Sequence, residues 1–179
     1  MRQCPPWLSQ GDFFTDLPMP TVTVEELLEE PVGVTFATSR GPALLITYSS
    51  VIDKRSSKAQ KPKATRLQFT PVHHLSASGL DPDTVRRLRN SDLNPAEAVY
   101  LDLGQGQEGV AFLGESYVIP TSFFRLESRE FTGDPAADPA DPWHVCATAH
   151  DTRALSMEEH ELELLQRKMV FYYTRREFA

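Results

Sequence analysis

The chain has 179 residues, a formal net charge of −7, 40% apolar residues and 14 prolines. That length supports one domain with a sizeable core, and the proline content assigns much of the rest to loops. The acidic balance, with a sequence pI of about 5.2, excludes general DNA coating but leaves room for a local basic groove. No apolar run approaches the ~20 residues that span a bilayer. The start, Met1-Arg2-Gln3-Cys4-Pro5-Pro6, lacks the apolar stretch of a secretory signal. Cys4 and Cys146 are too widely separated to indicate a disulfide framework. These features together predict a cytoplasmic protein.

Gly11 to Leu17 alternates imperfectly after a turn-forming glycine and predicts a first short strand. Thr23-Val24-Glu25-Glu26 matches a capping box ahead of Leu27-Leu28, and Pro31 limits any helix there to about two turns. This stretch is expected to be a short helical insertion or an acidic loop. Val32–Ala37 and Ala43–Tyr48 then predict two strands around a turn at Ser39-Arg40-Gly41-Pro42. The second is continuously apolar, which predicts burial on both faces.

Arg66–Val72 alternates cleanly and predicts a strand paired with residues 43–48. Asp81-Pro82 supplies an N-cap with proline at the first helical position, placing Val85 and Leu88 inward and Arg86, Arg87 and Arg89 outward. Val99–Leu103 and Val110–Leu113 flank the glycine-rich Gly104–Gly109 and predict a hairpin. Ser116–Ile119 predicts another short strand. The acidic Pro/Ala/Asp stretch 133–142 is expected to be a mobile loop. Ser156 and Glu159 form a second capping box, and the last helix is expected over about 157–176. Its stripe of Leu162, Leu165, Met169 and Tyr172/Tyr173 predicts docking on a sheet.

The strongest charge feature is the run from Lys54 to Arg66. It holds Lys54, Arg55, Lys58, Lys61, Lys63 and Arg66 and no acidic residue. Residues 54–89 carry nine of the 18 Lys/Arg and two of the 25 Asp/Glu, so the rest of the chain is strongly acidic. A strand feeding a flexible cationic loop suits phosphate-backbone binding, and it equally suits an acidic partner protein or a solvated loop. The run has no aromatic residue to stack a base, so it would hold a backbone and not read a sequence.

The order of landmarks resembles a known family. Gln10-Gly11-Asp12 opening the first strand, Arg40-Gly41-Pro42-Ala43-Leu44-Leu45-Ile46-Thr47, the late Val118–Leu126 stretch and the terminal helix are similar to the PemK/MazF toxin family. Those proteins are small SH3-like β-barrels, usually dimeric, that cut single-stranded RNA without a metal. Two departures stand out: the family's arginine directly precedes the proline, where this chain has Gly41, and the chain is longer near 19–38, 54–66 and 127–155.

The resemblance implies a mainly β (α+β) single domain over residues 1–179. It would be a small SH3-like curved barrel of about five to seven strands with inserted loops and a C-terminal amphipathic helix. Metal-independent RNA cleavage needs a base for the 2′-OH proton, an acid for the leaving oxygen and a cation over the developing charge. The candidates are Arg40 as cation, with Thr47, Ser49, Ser50 and Asp53 at the end of the buried strand. Lys54, Arg55, Lys58, Lys61, Lys63 and Arg66 are the candidate nucleic-acid contacts. The expected partners are single-stranded RNA or an acidic, antitoxin-like protein, with a possible homodimer and no cofactor, metal or membrane. The alternative is an inactive barrel serving as an interaction subunit of a larger assembly. A third is a small-molecule hydrolase pairing Ser49 or Ser50 with His73 or His74. His144, Cys146 and His150 lack the paired spacing of a zinc site.

Overall fold

The computed structural model describes residues 1–27, 30–53, 55, 61–133 and 141–176. Two long strands open it, β1 (Asp12–Leu27) and β2 (Glu30–Leu45), followed by the single turn of α1 (Ser49–Ile52) and by β3 (Arg66–His74). Next come α2 (Pro82–Arg89), β4 (Ala98–Asp102), β5 (Glu108–Phe112), β6 (Tyr117–Pro120), α3 (Thr121–Phe124) and β7 (Glu127–Glu130). The chain ends with β8 (Trp143–Cys146), β9 (Arg153–Ser156) and α4 (Glu159–Arg176). The architecture is mainly β. Seven strands form one antiparallel sheet in the order β4-β5-β3-β2-β1-β9, with β6 beside β3, while β7 and β8 pair on their own. The path runs from β4 to β9 without joining them, so no closed barrel forms among the described residues. No helix among those residues is long and apolar enough to cross a membrane.

The period-two alternation of the central strands splits the core into two layers. Phe14, Ala43, Leu45, Leu67 and Phe69 point to one face, where Leu8, Ile52, Phe124 and Val145 cover them. Phe13, Leu44, Ile46, Val72 and Val99 point to the other, where Leu165 and Met169 of α4 dock with Leu162 and Tyr172 at the margin. The apolar stripe of α4 therefore lies on the sheet, and Ala43–Ile46 are buried throughout. Phe14, Phe69 and Phe124 lie 5.5–5.8 Å apart between centroids. Such ring contacts add about 0.5–1.5 kcal/mol each beyond burial.

Several local expectations hold. Asp81 caps α2 by accepting from the Asp83 and Thr84 amides, with Pro82 at the first helical position. The 98–112 hairpin forms around Gly104–Gln107, and β3 pairs with β2 at Ala43–Leu45.

Others are corrected. Thr23–Glu26 is neither helix nor loop but extended strand, with Val22 registered against Phe36 and Val24 against Val34. No turn occurs at Arg40; β2 runs unbroken through Gly41 and Pro42. It can do so because the β1 ladder is irregular between Phe14 and Leu17, where the missing Pro42 amide is not required. The capping box is displaced as well. The Glu158 amide donates to Glu161 Oε2 at 2.7 Å, while Ser156 Oγ is engaged by Asp12. Residues 54, 56–60 and 134–140, the bulk of the two expected mobile insertions, lie outside the described residues.

Lys168 on α4 is 1% exposed and donates to the carbonyl oxygens of Pro95 (2.7 Å) and Leu93 (3.3 Å). Burial pushes its ammonium down to about 8, against the opposing pull of Glu97 and Asp92. Between about pH 8 and the ordinary value of 10.5 the unfolded chain therefore binds more protons at this site than the folded one, and stability rises with pH. Lys168→Met removes that contribution. Denaturant unfolding at the two ends of this window should show the wild type gaining stability relative to Lys168→Met; an unchanged difference would count against a buried, depressed lysine.

Candidate functional site

The polar residues beyond β2 have distinct assignments. Thr47 Oγ1 accepts from the Gln68 amide at 2.7 Å, and Ser49 Oγ accepts from the Gln10 amide at 3.0 Å. Both hydroxyls thus satisfy backbone donors at the end of the strand, while Ser50 is exposed on α1. Fully buried Ile52 anchors α1 in the core, and this sets Asp53, its C-cap, against β8. There Asp53 Oδ1 accepts from the Val145 amide at 3.4 Å, and Oδ2 stands 3.7 Å from His144 Nδ1. Burial raises the Asp53 carboxyl above the usual carboxylate value, partly offset by His144, the Val145 amide and Arg55.

His144 sits in an aromatic slot. Trp7 stacks on its ring at 4.4 Å and 18°, and Phe131 approaches at 6.2 Å. Both ring nitrogens are buried with no hydrogen-bond partner. A buried imidazole in that state is costly to a fold that gains nothing from it. Trp7 is held by two contacts. Leu8 donates to the Val145 carbonyl at 2.8 Å, and the Arg153 guanidinium bonds the Trp7 carbonyl. Arg55 completes the group, donating to the Trp143 carbonyl and ion-pairing with Asp141. Arg55 and Pro62 also form a β-bridge, which closes the base of the cationic segment.

A cleft of about 670 Å³, lined by none of these side chains, is linked to the group through Pro62, which bridges Arg55, and through Ser128. Lys61, Pro62 and Ala64 form one wall; Thr121, Ser122 and Arg125 beside α3, then Leu126, Glu127 and Ser128, form the other. Its connection to Asp53 is one strand wide: Ser128 of β7 pairs with Val145 of β8. Ser128 Oγ is buried without a hydrogen-bond partner. The cleft's acidic group, Glu127, is bonded by Arg129 at 3.1 Å.

The structure thus brings Asp53, Arg55 and Lys61 of the predicted set to one region. Lys63 and Arg66 are exposed along the approach to β3, and Lys54 and Lys58 lie outside the described residues. Arg40 is elsewhere. It stands five strand residues before Leu45, about 17 Å of rise, and forks the exposed Asp16 carboxylate at 2.8–3.1 Å. That pairing holds the Asp16 carboxyl below its usual value. His73 bonds Glu115 at 2.6 Å and His74 Nδ1 bonds Ser76 Oγ at 2.8 Å, both away from Ser49 and Ser50. Cys146 packs in the core with Trp7, and His150 stacks on Phe123 at 4.2 Å, so neither joins His144 in one ligand set.

His144, which the sequence offers only as a failed zinc spacing, and Trp7, which stacks on it, are the functional candidates that the structure adds. The one local signal was the aromatic Trp143 beside a histidine after an acidic run, which does not point to Asp53. No protein-family model, curated protein or solved structure matches the chain.

The raised Asp53 carboxyl has a measurable consequence. Because the fold favours the protonated form, stability is fully present below the ordinary value of 3.8 and declines as pH rises through the higher folded one. Asp53→Asn keeps an acceptor for the Val145 amide and removes the buried charge. It should be at least as stable as the wild type at neutral pH, with the gap closing toward pH 4 in thermal unfolding scans. A large loss of stability at neutral pH would mean that the carboxylate serves the fold.

Proposed function

We propose that the chain is a PemK/MazF-like protein that binds single-stranded RNA along the Lys61–Arg125 cleft and cleaves it without a metal at the Asp53–His144 pair. The observation that carries this reading is the juxtaposition of Asp53, its carboxyl raised by burial, with a hydrogen-bond-free imidazole and the Arg55 cation beside a cleft of basic and hydroxyl residues. In the cleavage step Asp53 accepts the 2′-OH proton as that oxygen attacks phosphorus. The P–O5′ bond breaks as His144, protonated at the outset, gives its proton to the leaving oxygen; a 2′,3′-cyclic phosphate and a 5′-OH remain, and the proton held by Asp53 passes back to His144 to reset the pair. Arg55 stabilises the charge that develops on the phosphoryl oxygens. A mainly antiparallel sheet with α4 packed on one face supports the reading of a divergent, opened SH3-like barrel. Arg40, the family-like candidate, has no part in this scheme.

A second reading rests on one specific observation: both His144 nitrogens are enclosed by Trp7 and neighbouring groups. It makes the chain an inactive barrel whose cationic cleft holds an acidic partner in a larger assembly.

Purified protein incubated with single-stranded RNA in chelator separates the two. We expect cleavage that rises with pH as Asp53 ionises and is lost in both Asp53→Asn and His144→Asn, with RNA binding retained. Replacing Lys61 and Arg125 by Ser should lower the slope of log affinity against log salt by about 1.4, at about 0.7 per phosphate contact on a single strand. Salt-sensitive binding without cleavage favours the interaction subunit. Absence of both rejects RNA as the ligand.

A further inference from the structure

Ser122 of α3 lines two cavities. One is the cleft it shares with Lys61 and Arg125; the other is a separate groove of about 470 Å³. Val118 and Pro120 of β6, Pro18 and Pro20 of β1 and Phe123 of α3 also line this groove. Among the described residues no charged side chain lines it, and Val118 within it is half-exposed. Arg66 stands opposite Pro120 in the β3–β6 register, and cross-strand neighbours share a face of the sheet, so a further cation borders the groove.

Phe123 is braced from outside the groove. His150 stacks on its ring at 4.2 Å and 15°, and Phe124 meets it edge-on at 5.0 Å. His150 has left-handed backbone, φ +51°, and so does Arg125, φ +48°. Their segments are tied together. The Phe124 carbonyl accepts from the Thr148 and Ala149 amides, both at 3.0 Å, and Thr148 Oγ1 donates to the Arg125 carbonyl at 2.6 Å. Non-glycine residues held in this region of backbone space cluster at ligand clamps. One set of bonds therefore fixes an aromatic ring in the groove and a guanidinium in the cleft, with Ser122 common to both.

We propose that this groove seats a base of the single-stranded RNA whose backbone lies in the cleft, packed against the Phe123 ring. The inference rests on the reading of the Lys61–Arg125 cleft as an RNA site. The pairing of chemistries selects the occupant. A nucleotide joins a phosphate to a flat ring with apolar faces, and here cations adjoin an aromatic-lined apolar groove across one hydroxyl residue. A purely apolar peptide would fill the groove but carry no charge to match the cations beside it. The groove also falls within the range of about 300–1,000 Å³ that small-ligand sites occupy. The aromatic that the basic run lacks is thus supplied by α3. Every base has a face to offer such a ring, so Phe123 strengthens binding without selecting a sequence.

The test compares the affinity of the full chain for a 2′-O-methyl single-stranded oligonucleotide, which has no 2′-OH to attack, with that for its abasic counterpart. The wild type should bind the base-bearing strand at least about fivefold more tightly. Phe123→Leu keeps apolar bulk but no ring. It should lower that affinity to the abasic level with the salt slope unchanged, the reverse of replacing Lys61 and Arg125, whereas Phe123→Trp should keep it. Val118→Gln, at a half-exposed position, puts an amide into the groove and should weaken only the base-bearing strand. Circular dichroism checks that each variant keeps its fold. Salt-sensitive binding that does not distinguish the two strands overturns the proposal and leaves the cleft reading standing. So does a folded Phe123→Leu protein that binds as the wild type does, or that loses affinity for both strands equally. Absence of binding to either strand rejects the groove and the cleft readings together.

Discussion

The buried pair of Asp12 and Arg153 is the interaction on which the rest of the site depends. Asp12 is fully buried and accepts from the Ser9 amide, Ser156 Oγ and Arg153 Nη1. Arg153, 6% exposed at its side chain, also bonds Asp151 and the carbonyls of Pro5, Pro6 and Trp7. One guanidinium thus joins the amino-terminal segment, β1 and β9, and its charge is held well above the ordinary range by these acceptors despite burial. Removing one partner of such a pair leaves an uncompensated charge and typically costs about 3–5 kcal/mol. Gly11 belongs to the same corner. Its φ is +87°, and a Cβ there would stand 2.9 Å from Met157 Cβ, so the glycine before Asp12 is required by both backbone and packing.

From this corner the consequences run outward to the chemistry. The amino-terminal segment, once fixed, lies along β8, and Trp7 stacks on His144. The burial of β8 in turn fixes how close His144 stands to Asp53, and α1 fixes Asp53 from the opposite side. The group draws on the amino-terminal segment, the end of α1 and β8, which the fold brings together from distant parts of the sequence. The cleft linked to it is walled by the segment before β3 on one side and by α3, its C-cap Arg125 and the start of β7 on the other. The two regions carry different parts of the proposed activity, one holding the backbone and the other moving protons.

What could be read from the sequence was what local chemistry decides. The Asp81-Pro82 cap, the glycine turn between β4 and β5 and the apolar stripe of α4 are short-range signals, and all three are present in the fold. The signals that misled were local preferences overruled by pairing. Thr23–Glu26 has the form of a helix cap, yet the β-branched Thr21–Val24 stretch is registered against Val34–Ala37 in a regular antiparallel ladder. Arg40-Gly41-Pro42 has the composition of a turn, yet an irregularity in the neighbouring strand accommodates the proline. Strands β7, β8 and β9 are four residues each and mostly half-buried or exposed, with too little alternation to detect. Asp53 was legible as a polar residue at the end of a buried strand. Its partner His144 was not, because 91 positions separate them and only the tertiary fold sets the distance.

Amide hydrogen exchange in Arg153→Met tests most directly whether this corner positions the site. The substitution keeps the apolar stem and removes the guanidinium that joins Asp12 to the Trp7 carbonyl. The Leu8 amide, bonded to Val145, and the Val145 amide, bonded to Asp53, report on the two sides of the His144 slot. The account predicts that both lose protection together while the 98–112 hairpin keeps its own. Unchanged protection at Leu8 and Val145 in a folded Arg153→Met protein would contradict it.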